Sequence, residues 1–155
     1  MVWAVIFLPA LLPAQGLYVS IIDSFRVGDI KVTIDRPSHI LTTEPMVVCI
    51  YALPNGNTTE QSMGKKLQPG DDWHFDIQHI QAQTEFVRHR WPYQALVVIY
   101  LENEQKSWPR WKQVHPDFAK RIPHMVDSLY HLFKPKKKWL YLNGHSGGGS
   151  FIFGY

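Results

Sequence analysis

Cysteine is almost missing from this chain. Cys49 stands alone, which excludes an internal disulfide framework and any multi-cysteine zinc site. Charge is missing from the front: nothing before Asp23 is acidic or basic. No apolar run is long enough to span a bilayer; the stretch Val2 to Leu12 has the length of a secretory h-region. Internal repeats and low-complexity segments are also lacking. The glycine-rich turn near the C-terminus lacks the lysine of a Walker loop and the G-x-G-x-x-G spacing of a dinucleotide fold. After Gly148 only seven residues follow, none of them acidic or His.

What is present is globular. Of 155 residues, 45% are hydrophobic and 19% charged, a balance that excludes a long disordered chain and fits one domain. The formal charge of +3 is local. Four of the 16 Lys and Arg lie in Lys134 to Lys138, and the rest are outnumbered by 13 acidic residues. The basic balance therefore gives no argument for a nucleic-acid partner. Residues 1–14 form a candidate signal peptide, ending at Pro13-Ala14-Gln15. They predict an exported protein, periplasmic or secreted; without that leader the expectation is cytoplasmic. No stable membrane span is expected.

Patterning then gives the elements. Leu17 to Phe25 and Ile30 to Ile34 alternate apolar and polar residues, predicting two half-buried strands joined near Gly28. Met46 to Leu53 and Ala95 to Leu101 are continuously apolar and predict strands buried on both faces. Asp71-Asp72 would cap a helix that carries Ile77, Ile80, Thr84 and Val87 to about Arg90. Thr58 to Trp73 and Glu102 to Pro116 read as loops, and Gln61 to Trp73 within the first is a solvated loop or a cap over a site. Asp117 to Phe133 predicts a helix weakened by Pro123, and Trp139 to Leu142 a third short buried strand. Strands alternating with helices imply an α/β domain: a mostly parallel sheet, helices on both faces, and an antiparallel edge at the N-terminus.

One motif carries chemistry. Gly144-His145-Ser146-Gly147-Gly148 is a G-x-S-x-G pattern between a buried strand and an apolar helix start. With 10 Gly, such a match arises by chance roughly 0.03 times per chain of this composition. A serine nucleophile on a sharp strand-to-helix turn takes a strained backbone, and Gly144 and Gly148 relieve the crowding on either side. The following helix aims its first amides at the turn, where an oxyanion would develop.

On these residues the sequence from Leu17 to Tyr155 resembles the N-terminal half of the α/β-hydrolase superfamily, an incomplete α/β-hydrolase fold over residues 17–155. The resemblance implies that Ser146 is the nucleophile. It implies one oxyanion donor at the Gly147 N–H and a second in the loop after the third strand, Pro54-Asn55-Gly56-Asn57. Pro54 has no N–H, which points to Asn55 first and Gly56 second. The superfamily's chain order is Ser, then Asp or Glu, then His. Nothing after Ser146 supplies those groups, and the upstream histidines sit on or near predicted helices or away from the elbow side. The expectation is a truncated serine hydrolase, inactive or nearly so alone, that acts on a carboxylic ester or related acyl substrate through an acyl-enzyme. In the superfamily further strands lie beyond the elbow strand, so Trp139 to Leu142 would here become an exposed apolar edge.

His145, Glu102, Trp108 and Trp111 are candidate pocket residues, because they fall at the sheet edge that also carries the elbow. Glu102 is alternatively a loop anchor, and the two indoles alternatively pack on the second helix. His74-x-Asp76-x-x-His79 lacks the spacing of known zinc helices, and neither a metal nor a cofactor is expected. The expected partner is a small-molecule or acyl substrate. The rival readings are a non-catalytic binding protein on the same scaffold and a phosphate-binding α/β domain.

Overall fold

The computed structural model describes residues 19–41 and 43–155. The candidate signal peptide lies outside the described residues. Five strands form one open sheet in the order β1-β2-β4-β3-β5: β1 Ser20–Val27, β2 Ile30–Pro37, β3 Met46–Ala52, β4 Ala95–Asn103 and β5 Lys138–Gly144. Five helices accompany them: α1 Thr59–Met63, α2 Ile80–Arg90, α3 Trp108–Val114, α4 Phe118–Tyr130 and α5 Gly148–Ile152. The fold is α/β, but the sheet is mixed rather than mostly parallel. β3 pairs in parallel with β4 and β5, whereas β2 is antiparallel to both β1 and β4. The hairpin at Gly28, whose φ of 59° suits glycine, turns the chain back, so β2 meets the parallel strands running the other way.

Alternation along the strands divides the core in two. Val48, Ile50 and Ala52 of β3, with Val97, Ile99 and Leu101 of β4, face α3, α4 and α5 through Trp108, Trp111, Ile122, Val126 and Phe151. Cys49, Tyr51 and Leu53, with Val98 and Tyr100, face α1 and α2 through Met63 and Ile80. Helices thus cover both faces. Burial in that second layer pushes the Cys49 thiol up to about 12, so it is inert packing rather than a nucleophile.

Both front strands depart from the half-buried strands expected of them: β1 is exposed from Ile22 to Val27, and β2 is buried on both faces. Its Thr33 and Asp35 are as buried as Val32 and Ile34. Arg88 of α2 accounts for Asp35: its Nη1 donates to the carboxylate at 2.7 Å, and both side chains are almost wholly enclosed. Arg88 also donates to the Leu96 and Asp35 carbonyls and to Ser20 Oγ. A buried charge pair survives only with such added hydrogen bonds.

Both segments expected as loops contain helices. Thr58 and Gln61 form a reciprocal capping box that starts α1. Ser107 caps α3, and Pro109 sits in its first turn, where a missing N–H costs nothing. The single helix expected from Asp71 to Arg90 is instead broken. Asp72 caps a 3-10 turn over Trp73–Asp76, and His79 then takes a left-handed φ of 49°, which no continuous helix passes through. In α4, Pro123 withholds one N–H, yet the helix continues because Ile122, Met125, Val126 and Leu129 bury its apolar stripe.

β5 has β3 as its one neighbour in the described sheet. Trp139 and Tyr141 stand half exposed on its α2 side, the apolar edge that was expected. Among the described residues, no helix is long and apolar enough to cross a membrane.

Candidate active site

β5 ends at Gly144 opposite Ala52, the last residue of β3, and the chain then turns sharply into α5. Ser146 occupies the turn with φ 52°, in the left-handed region. A non-glycine residue held there is strained, and such strain concentrates where a side chain must be presented. Its neighbours explain the glycines. A Cβ on Gly144 would lie 2.9 Å from the Gly148 carbonyl carbon. A Cβ on Gly148 would overlap the Ala52 carbonyl oxygen, and one on Gly147 would overlap the Asn55 carboxamide. The elbow therefore lies tight against the end of β3 and the loop that follows it.

Ser146 and His145 are both exposed. Ser146 Oγ has no hydrogen-bond partner among the described residues. The Gly147 and Asn55 N–H groups likewise have no acceptor among the described residues. The Gly56 N–H is different: it donates to the Lys106 carbonyl at 2.8 Å and is not free for an oxyanion. Lys106 is itself left-handed, with φ 46°. Of the two loop donors, Asn55 is the one available.

Glu102 acts on the neighbouring loop. Its Oε2 accepts from both the N–H and the Oγ1 of Thr59 at 2.8 Å, anchoring the first turn of α1 beside the Asn55 loop. Lys31 Nζ lies 3.9 Å from the same oxygen and 2.6 Å from Glu60 Oε1. Glu60 sits below the ordinary carboxylate range. Burial raises it, but its hydrogen bond with Lys31 and the neighbouring positive charge outweigh that. Trp108 and Trp111 lie in the core rather than in a pocket beside Ser146, and Trp111 backs an open cleft of about 280 Å³ with Asp29 and Arg121. Their rings meet edge to face at 5.5 Å, and Trp108 packs on Phe151 at 4.5 Å. Trp111 Nε1 donates to Asp29 Oδ2 at 2.7 Å, and His115 Nε2 meets the same oxygen at 2.9 Å.

His145 has a partner that sequence patterning did not reveal. Its Nδ1 lies 3.4 Å from Gln78 Nε2, 67 positions away. An open apolar cavity of about 470 Å³ lies between α2 and β5, against Cys49, Thr84, Trp91, Trp139 and Tyr141. Ser146 does not line it. His74 pairs with Asp72 and His79 with Asp76. Among the described residues no three His, Cys, Asp or Glu side chains converge as a metal would need. No protein-family model matches the chain, and no curated protein or solved structure does either.

Proposed function

We propose that this chain carries the nucleophile and oxyanion elements of a serine hydrolase of the α/β-hydrolase kind, acting on a carboxylic ester or related acyl substrate. The observation that carries the reading is Ser146 at φ 52° on a strand-to-helix turn, exposed and with Oγ free, next to the unused N–H of Gly147, against which the Asn55 side chain packs with its own N–H also unused. Ser146 Oγ attacks the acyl carbon, and the two N–H groups stabilise the oxyanion. The bond to the leaving alcohol breaks as that alcohol takes up the proton lost from Ser146. Water then cleaves the acyl-serine to the free acid and restores the hydroxyl. A single oxyanion donor is worth about 10²–10³ in rate in well-studied hydrolases. A serine without a base is a weak nucleophile, so the chain on its own is expected to react slowly.

The test is long incubation with a fluorophosphonate, with and without added imidazole as a free base, followed by peptide mass mapping. The expected result is an adduct on Ser146 that forms faster with imidazole and is absent from Ser146→Ala. A folded protein with no Ser146 adduct under either condition rejects the reading. It would favour a binding protein on this scaffold, which the missing base partner of Ser146 also suits.

A further inference from the structure

Gln78 lies between the 3-10 turn over Trp73–Asp76 and α2, and hydrogen bonds hold it at both its backbone carbonyl and its carboxamide. Gln83 Nε2 donates to its carbonyl at 2.6 Å. Its neighbour His79 is pinned in the left-handed region, with its ring on Asp76 Oδ1 at 2.7 Å. Gly64 presses on that residue so closely that a Cβ there would lie 2.8 Å from His79 Cα. At the side-chain end, the Tyr51 hydroxyl donates to Gln78 Oε1 at 2.8 Å. Burial, with the Cys49 thiol adding to it, pushes the Tyr51 phenol up to about 12, so this hydroxyl keeps its proton at any working pH. With Oε1 occupied by a donor, the face that Gln78 turns to His145 is its NH₂ group, and an NH₂ group can only donate. The ring nitrogen it meets, Nδ1, must then accept, which leaves the proton on Nε2.

We infer that Gln78 is a positioning residue that holds His145 as its Nε2–H tautomer, making His145 a hydrogen-bond donor beside Ser146 for an acceptor-bearing substituent of the acyl substrate. The inference rests on the serine-hydrolase reading for its substrate, but the tautomer itself does not. A preorganised donor beside the reacting serine favours hydroxy, oxo or carboxylate-bearing acyl groups over plain alkyl ones, because an alkyl group would leave the N–H dehydrated and unpaired.

The experiment uses the full chain with ¹⁵N-labelled histidine and long-range ¹H–¹⁵N correlation spectra, His145 being assigned from its loss in His145→Asn. The wild type should show the Nε2–H pattern. Gln78→Glu, which can only accept, should convert it to the Nδ1–H pattern. Tyr51→Phe, a change of one oxygen that leaves the core packed, should free the carboxamide to rotate and give a mixture. An Nδ1–H pattern in the wild type, or a pattern unmoved by both variants, overturns the inference. The second arm compares acetate and 2-hydroxyacetate aryl esters on a chain that labels at Ser146. Gln78→Ala should narrow any preference for the hydroxy ester by about tenfold or less, the scale of one hydrogen bond. An unchanged ratio overturns the substrate assignment. Failure to label at Ser146 rejects the hydrolase reading and leaves the tautomer spectra to decide the role of Gln78.

Discussion

The Asn55 carboxamide fills the space that a side chain at position 147 would need, so a Cβ there would have to push the Asn55 side chain aside. Gly147 has an ordinary helical φ of −57°, so it is crowding and not backbone strain that calls for glycine. Gly148 faces a harder obstacle, the buried end of β3, where the overlap is with the Ala52 carbonyl oxygen.

The two glycines should therefore fail differently. Asn55 is an exposed side chain and can swing away, so Gly147→Ala should cost about 1 kcal/mol or less while displacing the Asn55 loop. Fluorophosphonate labelling of Ser146 should slow by about tenfold or more, as one oxyanion donor moves. Gly148→Ala must move backbone and should cost about 3 kcal/mol. Urea unfolding with parallel labelling separates the two. Equal loss of stability in both variants would contradict the contact pattern.

Trp108 is wholly buried against Trp111 and Phe151. Trp108→Ala should lower stability by about 3–5 kcal/mol, the range for a large core aromatic. A residue that merely lined a substrate pocket would leave the urea midpoint near the wild-type value, and that result would place the indole outside the core.

The strands were legible because each carries its own signal. Met46 to Leu53 and Ala95 to Leu101 are continuously apolar, as doubly covered strands are, whereas the strand before the G-x-S-x-G turn, also expected to be buried, stands half exposed at Trp139 and Tyr141. The antiparallel edge at the N-terminus was legible, but the antiparallel pairing of β2 with β4 was not, because it is set across more than 60 residues. α1 and α3 had local signals in Thr58-x-x-Gln61 and Ser107-Trp108-Pro109, outweighed by the Gly and Pro around them. The approach of Gln78 to His145 and the burial of Asp35 under Arg88 are tertiary facts, and no spacing along the chain encodes them.

Asp35 and Arg88 give a third prediction. Asp35→Ala strands a guanidinium that is almost completely buried, which should cost about 3–5 kcal/mol. The backbone carbonyls of Leu96 and Asp35 still accept from it, so the fold should persist in a weakened state. The double variant Asp35→Leu, Arg88→Met removes both charges and should recover most of the loss. Denaturant midpoints of the two singles and the double measure the coupling, and additive losses would show that the pair does not act as a unit.

Asp29 gives the acid limb of stability. Burial raises its carboxyl, yet the hydrogen bonds from His115 and Trp111 outweigh burial and hold it below its ordinary value of 3.8. A carboxylate depressed in the folded state binds fewer protons than in the unfolded chain. Its stabilisation is therefore complete above the unfolded value and drains away as pH falls through the folded one. Asp29→Asn keeps an acceptor for Trp111 but no longer titrates. The stability gap between wild type and Asp29→Asn should be widest near pH 5 and should shrink steadily toward about pH 2.5. Glu60 is also depressed, but it is common to both proteins and cancels in the difference. Urea midpoints taken in steps across that window check this. A gap that stays constant or widens as acid is added would mean that Asp29 does not clamp α3 to the β1–β2 turn through its charge.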